Sequence, residues 1–297
     1  MTFTRPARRL VASTLALLLC ACAAAPKPVA APAVPPPAAS VAVRTHESLN
    51  ANLWQQTAVE YDASAAQAYR AARAALDRAL ADVTWTAALE QKAGFGGLPP
   101  AIILDVDETV LDNSAYNARR IAAGGRYTRE TWHAWCEERA ATPIAGAVEL
   151  TQYAASRGVT VFYVTNRESV VHAATKDNLR RVGFPLRDDR ETLFTRGLKP
   201  EWDSSDKGPR RAVVAAEYRV LLLIGDDFND FLSGAKTSRG ERDRLATEHS
   251  VRWGESWIIL PNPVYGSWED AVLGNERGLS EEEISRRKFE ALSLPHG

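Results

Sequence analysis

Four apolar runs limit what this chain can fold into more than any other feature: Ala101–Leu104, Val159–Val164, Val220–Ile224 and Trp257–Leu260. A strand that alternates apolar and polar residues can leave one face in water. These runs do not alternate, so each needs cover on both faces, as a strand inside a parallel sheet has. Helix-like segments lie among them: Ala147–Ser156, Glu168–Arg181, Gly208–Glu217 and Phe228–Lys236. Strands alternating with helices predict an α/β domain, a mostly parallel sheet flanked by helices. Ahead of the first run, Glu47–Leu89 reads as a helical extension. Leu49, Leu53 and Val59 keep one face apolar, alanines then recur at three and four, and GFGGLPP at 94–100 ends the pattern. The chain shows no internal repeat.

The N-terminus reads as a targeting segment. Arg5, Arg8 and Arg9 precede the largely apolar stretch Leu10–Leu19, which is too short to span a bilayer. Leu19-Cys20-Ala21-Cys22 then resembles a bacterial lipobox with Cys22 as the lipid acceptor; the bulky Leu19 makes Cys20 the poorer candidate. Ordinary secretory cleavage near Ala21–Ala25 is the competing reading. Residues 1–22 are thus expected to be a lipoprotein signal peptide. Residues 23–45, dominated by alanine and proline, form a semi-rigid tether, and residues 46–297 form one domain. The expected location is a bacterial envelope. Ala23 behind the acylated cysteine fits the outer membrane, facing the periplasm or the surface.

A net charge of −1 gives no reason to expect a nucleic-acid polymer as partner. Of the three cysteines, cleavage removes Cys20 and lipidation uses Cys22, which excludes an internal disulfide. Cys136, in TWHAWC, reads as a small buried hydrophobe rather than a nucleophile. A homodimer is compatible with the sequence, which does not call for one.

Polar residues collect where the apolar runs end. Asp105 and Asp107 follow Leu104, Thr165 and Asn166 follow Val164, and Asp226 and Asp227 follow Ile224 behind Gly225, with Asp230 close by. Lys207, in SSDKGPRR, stands at a helix start. In an open α/β sheet, the C-terminal edge of the strands is where ligands bind. Period-two alternation lets Asp105 and Asp107 face the same ligand. Three carboxylates at one point repel each other and phosphate alike, so a hard divalent cation is required. Mg²⁺ suits a few carboxylates, several waters and a phosphate oxygen. A lysine and a hydroxyl then suit the remaining phosphoryl oxygens. An EF-hand is excluded by its missing spacing and central glycine.

The ordered set DVDET, VTNR, DK and GDDFND resembles the four motifs of haloacid-dehalogenase-like phosphatases. DVDETVLDNS, VFYVTNR, GDDFNDF and LPNPVYGSWE, with the helical stretch LNANLWQQTAVEYDASAAQAY, resemble more narrowly the bacterial class C acid phosphatases, the lipoprotein e group of 5′-nucleotidases. The loop EWDSSDKGPRR departs from that pattern. The resemblance implies a Rossmann-like core with a small helical cap, placed at about residues 113–145 within the long connection 113–158. It implies a Mg²⁺-dependent acid phosphatase acting on small phosphomonoesters, nucleoside monophosphates among them. Asp105 would be the nucleophile and Asp107 the acid and then the base. Asp105, the Asp107 backbone carbonyl, Asp226 and Asp230 would hold the metal, Thr165 and Lys207 the phosphoryl group. Asn166 would contact substrate, and a base would stack between Tyr265 and a cap tryptophan, Trp132 in preference to Trp135. The alternative is a non-catalytic envelope lipoprotein binding a ligand such as haem, but His46, His133, His172, His249 and His296 show no ligand-pair spacing.

Overall fold

In the computed structural model, which describes residues 45–294, all four apolar runs contribute strands to one sheet. In chain order the strands are β1 (Pro100–Leu104), β2 (Leu111–Asp112), β3 (Thr142–Pro143), β4 (Thr160–Glu168), β5 (Leu193–Arg196), β6 (Arg219–Gly225) and β7 (Trp257–Ile259). The sheet runs β5-β4-β1-β6-β7, and every neighbouring pair in it is parallel. β5 is the strand that the apolar pattern does not announce. It has four residues, LFTR, and occupies an edge.

Side chains leave β1 and β4 alternately for the two faces. Ile102, Leu104, Val161 and Tyr163 enter one core with Leu76, Leu150 and Leu179; Ala101, Ile103, Phe162 and Val164 enter the other with Val214, Phe231 and Trp257. The helices are, in chain order, α1 (Leu49–Thr57), α2 (Val59–Ala81), α3 (Ser114–Ala122), α4 (Arg129–Glu138), α5 (Ala147–Ser156), α6 (His172–Arg181), α7 (Gly208–Glu217), α8 (Arg239–Glu248), α9 (Ser267–Val272) and α10 (Glu281–Glu290). The first core draws on α2, α5 and α6, and the second on α7. α3 and α4 form the cap, between the antiparallel β2 and β3. The cap is not free-standing: α3 packs on α1 and α4 on α6.

Two helical expectations are corrected. Glu47–Leu89 is two helices. Ala58 takes an extended conformation between them, Trp54 meeting Tyr61 edge-on at 5.5 Å across the break. The pattern also stops early, at Ala81, because the Asp82 carboxylate takes the Thr84 backbone N–H at 2.9 Å and turns the chain. Phe228–Lys236 is a single 3₁₀ turn, Phe228–Asp230, because Asp227 and Asp230 bond each other's backbone and Gly234 is left-handed at φ 83°.

The helical extension braces the loop behind β1. Tyr69 on α2 donates to the Thr109 carbonyl at 2.5 Å, and Gln55 on α1 donates to Asp112 at 3.1 Å. No helix among the described residues is long and apolar enough to cross a membrane. The expected signal peptide, Cys22 and nearly all of the expected tether lie outside the described residues, as does His296.

Candidate active site

Register brings the strand ends level. Leu104 pairs with Tyr163 on one side and with Ile224 on the other, and the Asp105 N–H donates to Ile224 O at 2.9 Å. Asp105, Asp107, Thr165 and Asp226 therefore meet at one edge. A carboxylate oxygen from each of Asp105, Asp226 and Asp230 lies within 4.8 Å of the others. Lys207, 4% exposed at the cap of α7, bridges two of them: its ammonium bonds Asp105 and reaches Asp230 at 2.6 Å.

Gly225 serves this cluster by close approach rather than by turning the chain. It is still a strand residue, and its φ is not left-handed. A Cβ there would lie 2.2 Å from Asp230 Oδ2, so any side chain would push Asp230 out of the site.

Burial and mutual repulsion dominate the electrostatics. Burial lifts the Asp105 carboxyl most, against the pull of Lys207, and Asp230 and Asp107 add to the rise, which reaches about 7. Asp226 is pushed well above the carboxylate range by burial and by the charges of Asp105 and Asp230. Asp230 also rises through burial, opposed by Lys207. Burial alone would lower the Lys207 ammonium, but Asp105 and Asp230 together hold it above its usual value. Asp226 is oriented by Thr109 Oγ1 at 2.8 Å and by Asn262 Nδ2 at 2.9 Å.

Asp227 does not join the cluster. Its carboxylate takes the Asn229 and Ser267 backbone N–H groups at 2.9 and 2.5 Å, joining the loop after β6 to the start of α9. Thr165 is buried, with its hydroxyl 3.5 Å from Asp107 Oδ2. Asn166 is exposed but engaged: it donates to Ser205 O at 3.0 Å and accepts from Arg210 at 2.7 Å. Arg210, fully buried, also donates to the Thr165 carbonyl at 2.5 Å; burial lowers its guanidinium to about 10, leaving it charged at neutral pH.

The aromatic candidates contact the neighbours of Asp107. Tyr265, 36% exposed, donates its hydroxyl to Glu108. Trp132 lies over the Arg167 guanidinium at 5.3 Å, and Arg167 bonds Asp107 at 2.8 Å. Trp135 is buried and donates to Asn113 at 2.8 Å, so it supports the cap from within. Cys136 is buried as expected, and burial pushes its thiol up to about 12.

Several site residues were not singled out from the sequence. Arg167, Asn113, Glu108, Thr109 and Asn262 all lie inside the quoted motifs, which was the available signal. Glu108 is the most unusual of them: it is left-handed at φ 53°, fully buried, and raised well above the carboxylate range by burial and by Asp107. Among the described residues, the acidic trio is the group suited to a metal, and no histidine belongs to it.

A parallel sheet with Asp105-x-Asp107 at one strand exit and Asp226 and Asp230 at the next defines a haloacid-dehalogenase-like phosphatase core. The profile of the HAD superfamily, subfamily IIIB (acid phosphatase), matches residues 18–268, and the chain belongs to that family. The structure is similar to that of the class C acid phosphatase from Bacillus anthracis, with TM-score 0.74 and 32% identity over 84% of this chain and 98% of that one. It is equally similar to the tungstate-bound form of that enzyme, with TM-score 0.73, 31% identity and the same coverage. Acid phosphatase 1 of Solanum lycopersicum is 26% identical over 166 residues, 55% of this chain and 57% of the tomato protein, so that match spans little more than half of the relative.

Proposed function

We propose that this chain is a metal-dependent acid phosphatase that hydrolyses phosphomonoesters, 5′-nucleotides among them, through a phosphoryl group carried on Asp105. The observation behind this reading is the trio Asp105, Asp226 and Asp230 gathered within 4.8 Å around the buried Lys207. Three carboxylates, Asp230 buried and Asp105 and Asp226 half-buried, beside one ammonium leave an excess of negative charge, and every donor atom is a hard oxygen. That set fits a hard divalent cation, Mg²⁺ by its preference for carboxylates and phosphate oxygens. The carboxylates of Asp105, Asp226 and Asp230 and the Asp107 backbone carbonyl would hold it. It would supply charge neutralisation at the phosphoryl oxygens.

The chain's own residues do the rest. An Asp105 oxygen attacks phosphorus as the bond to the leaving oxygen breaks, and Asp107 gives that oxygen a proton. Asp107, now a carboxylate, takes a proton from water; the hydroxide attacks phosphorus and frees Asp105. Lys207 and the Thr165 hydroxyl stand where the remaining phosphoryl oxygens need donors. The tungstate held by the Bacillus anthracis relative is a tetrahedral oxyanion like phosphate, which supports this substrate class. Trp132, against Arg167, and Tyr265, bonded to Glu108, supply two rings for a base, and stacking on a base is worth about 1–3 kcal/mol. Nothing in the histidine positions favours haem binding. The test is phosphate release from p-nitrophenyl phosphate with and without EDTA. Release that EDTA abolishes and Mg²⁺ restores is expected; no release, or release indifferent to EDTA, would overturn the reading. Lipid anchoring at Cys22 in the outer membrane belongs to the same proposal. Cys22→Ser should move the active domain from the membrane pellet to the soluble fraction, and a variant still in the pellet would refute the anchor.

A further inference from the structure

The two oxygens of Asp107 are treated unequally. Oδ1 accepts from Arg167 Nε at 2.9 Å, from Arg167 Nη2 at 2.8 Å and from Asn113 Nδ2 at 2.9 Å. Oδ2 meets the Thr165 hydroxyl at 3.5 Å, the far limit of a hydrogen bond. Both donors to Oδ1 are themselves fixed. The Arg167 side chain is 0% exposed and also reaches Thr175 at 3.3 Å. Asn113 is fully buried; its Oδ1 accepts from Trp135 Nε1 at 2.8 Å and from Arg167 Nη2 at 3.1 Å, and its N–H donates to Glu108 at 3.0 Å. Each polar atom of the Asn113 side chain is thus used, and its amide cannot turn over without losing bonds at both ends.

A carboxyl group about to give up a proton has one oxygen that accepts and one that carries the hydrogen. Three donors converging on Oδ1 make it the accepting oxygen. We propose that Arg167 and Asn113 are positioning residues that assign the transferable proton of Asp107 to Oδ2 and link that assignment to the cap helix α4. This rests on the reading of Asp107 as the acid. As the bond between phosphorus and the leaving oxygen breaks, its electron pair stays on that oxygen and takes the proton from Oδ2. The negative charge left on Asp107 already faces the Arg167 guanidinium, so no group has to move to receive it. α4 enters the arrangement twice, since Trp135 bonds Asn113 and Trp132 lies over Arg167. A cap displaced from the core would misplace the acid as well as a substrate wall.

The experiment compares two aryl esters that differ in how much the departing oxygen needs a proton. p-Nitrophenolate leaves readily unprotonated, whereas phenolate does not, and neither ester carries a nucleobase. kcat/KM reports the first transfer, in which Asp107 is the acid. For Arg167→Lys and Trp135→Phe, kcat/KM for phenyl phosphate should fall about tenfold or more, that for p-nitrophenyl phosphate about threefold or less. Trp135→Phe removes one indole N–H and keeps a ring, so it decides the matter if Arg167→Lys fails to melt cooperatively. Asp107→Asn, run alongside, must show the same selective loss; if it does not, the assignment of Asp107 as the acid fails. If Asp107→Asn is selective while the folded Arg167→Lys and Trp135→Phe lose both substrates in equal proportion, or neither, the clamp is refuted.

Discussion

Asp226→Asn should make the metal-free protein more stable while weakening the enzyme. In the fold, Asp226 sits among two other carboxylates whose oxygens approach within 4.8 Å. At an effective dielectric constant of about 20, two full charges at that separation repel by about 3 kcal/mol. Burial raises all three carboxyls, Asp105 to about 7, which favours their protonated forms, so the relief should be smaller, about 1–3 kcal/mol. The amide can keep the local bonds: its oxygen still accepts from Asn262, and its NH₂ can donate to Thr109, whose hydroxyl then turns acceptor. For a domain of this size the gain corresponds to a rise of about 2–10 °C in Tm. The pH dependence has a definite sign. Carboxyls whose pKa is higher in the fold bind more protons folded than unfolded, so the contribution of this trio to stability in EDTA is full below about pH 4 and is lost as pH rises through about 7. Asp226→Asn should decline less. Mg²⁺ should reverse the order, because a ligand at a hundredfold its Kd adds about 2.7 kcal/mol to the protein that binds it fully. Thermal melts in EDTA at pH 5 and 7.5, then with Mg²⁺, decide the case. A folded variant melting below wild type at pH 7.5 in EDTA would refute the reasoning, and so would one gaining as much from Mg²⁺ as wild type does.

Asp105→Asn should fold and lose about a thousandfold in kcat, equivalent to about 4 kcal/mol; more than a tenth of wild-type kcat remaining would remove Asp105 as nucleophile. Tyr265→Ala should raise KM for AMP several-fold and leave p-nitrophenyl phosphate less affected, because stacking is worth about 1–3 kcal/mol; equal losses on AMP and glycerol phosphate would make the tyrosine structural. Asp227→Ala should cost about 1–2 kcal/mol of stability through its lost caps while leaving the Mg²⁺ titration in place, and urea denaturation beside that titration checks it. A titration shifted as far as that of Asp226→Asn would put Asp227 in the metal group after all.

The central strands were legible because a parallel strand covered on both faces has nowhere to place a polar residue. β5 was not, since LFTR offers only Leu193 and Phe194 in succession, too short an apolar run to announce a strand. Asp105 and Asp226 could be read for the same reason as the strands, standing one and two positions beyond an apolar run, with Asp107 and Asp230 in the loops that follow. Arg167 could not. An arginine just past an apolar run reads as solvated charge, and what holds it inside is Asp107, sixty positions earlier in the chain. Asp227 shows the converse: as part of GDDFND it looked like one more acid of the cluster, and only the arrival of Ser267 from α9 turns it away. The 228–236 error has a similar source, because the spacing of Phe228, Phe231 and Leu232 suits a helix until the two aspartates claim the backbone.

The brace from α1 and α2 bears on where this protein can be trimmed. A boundary drawn from the sheet would fall at Pro100, and one drawn from the tether would fall near Thr45. Only the second is safe, because Tyr69 supports the Thr109 carbonyl and Gln55 holds Asp112, both in the loop that follows Asp105 and Asp107. A soluble version starting at Thr45 retains both supports. A version starting beyond Ala81 would keep every catalytic candidate and lose the floor on which Asp105 and Asp107 are set.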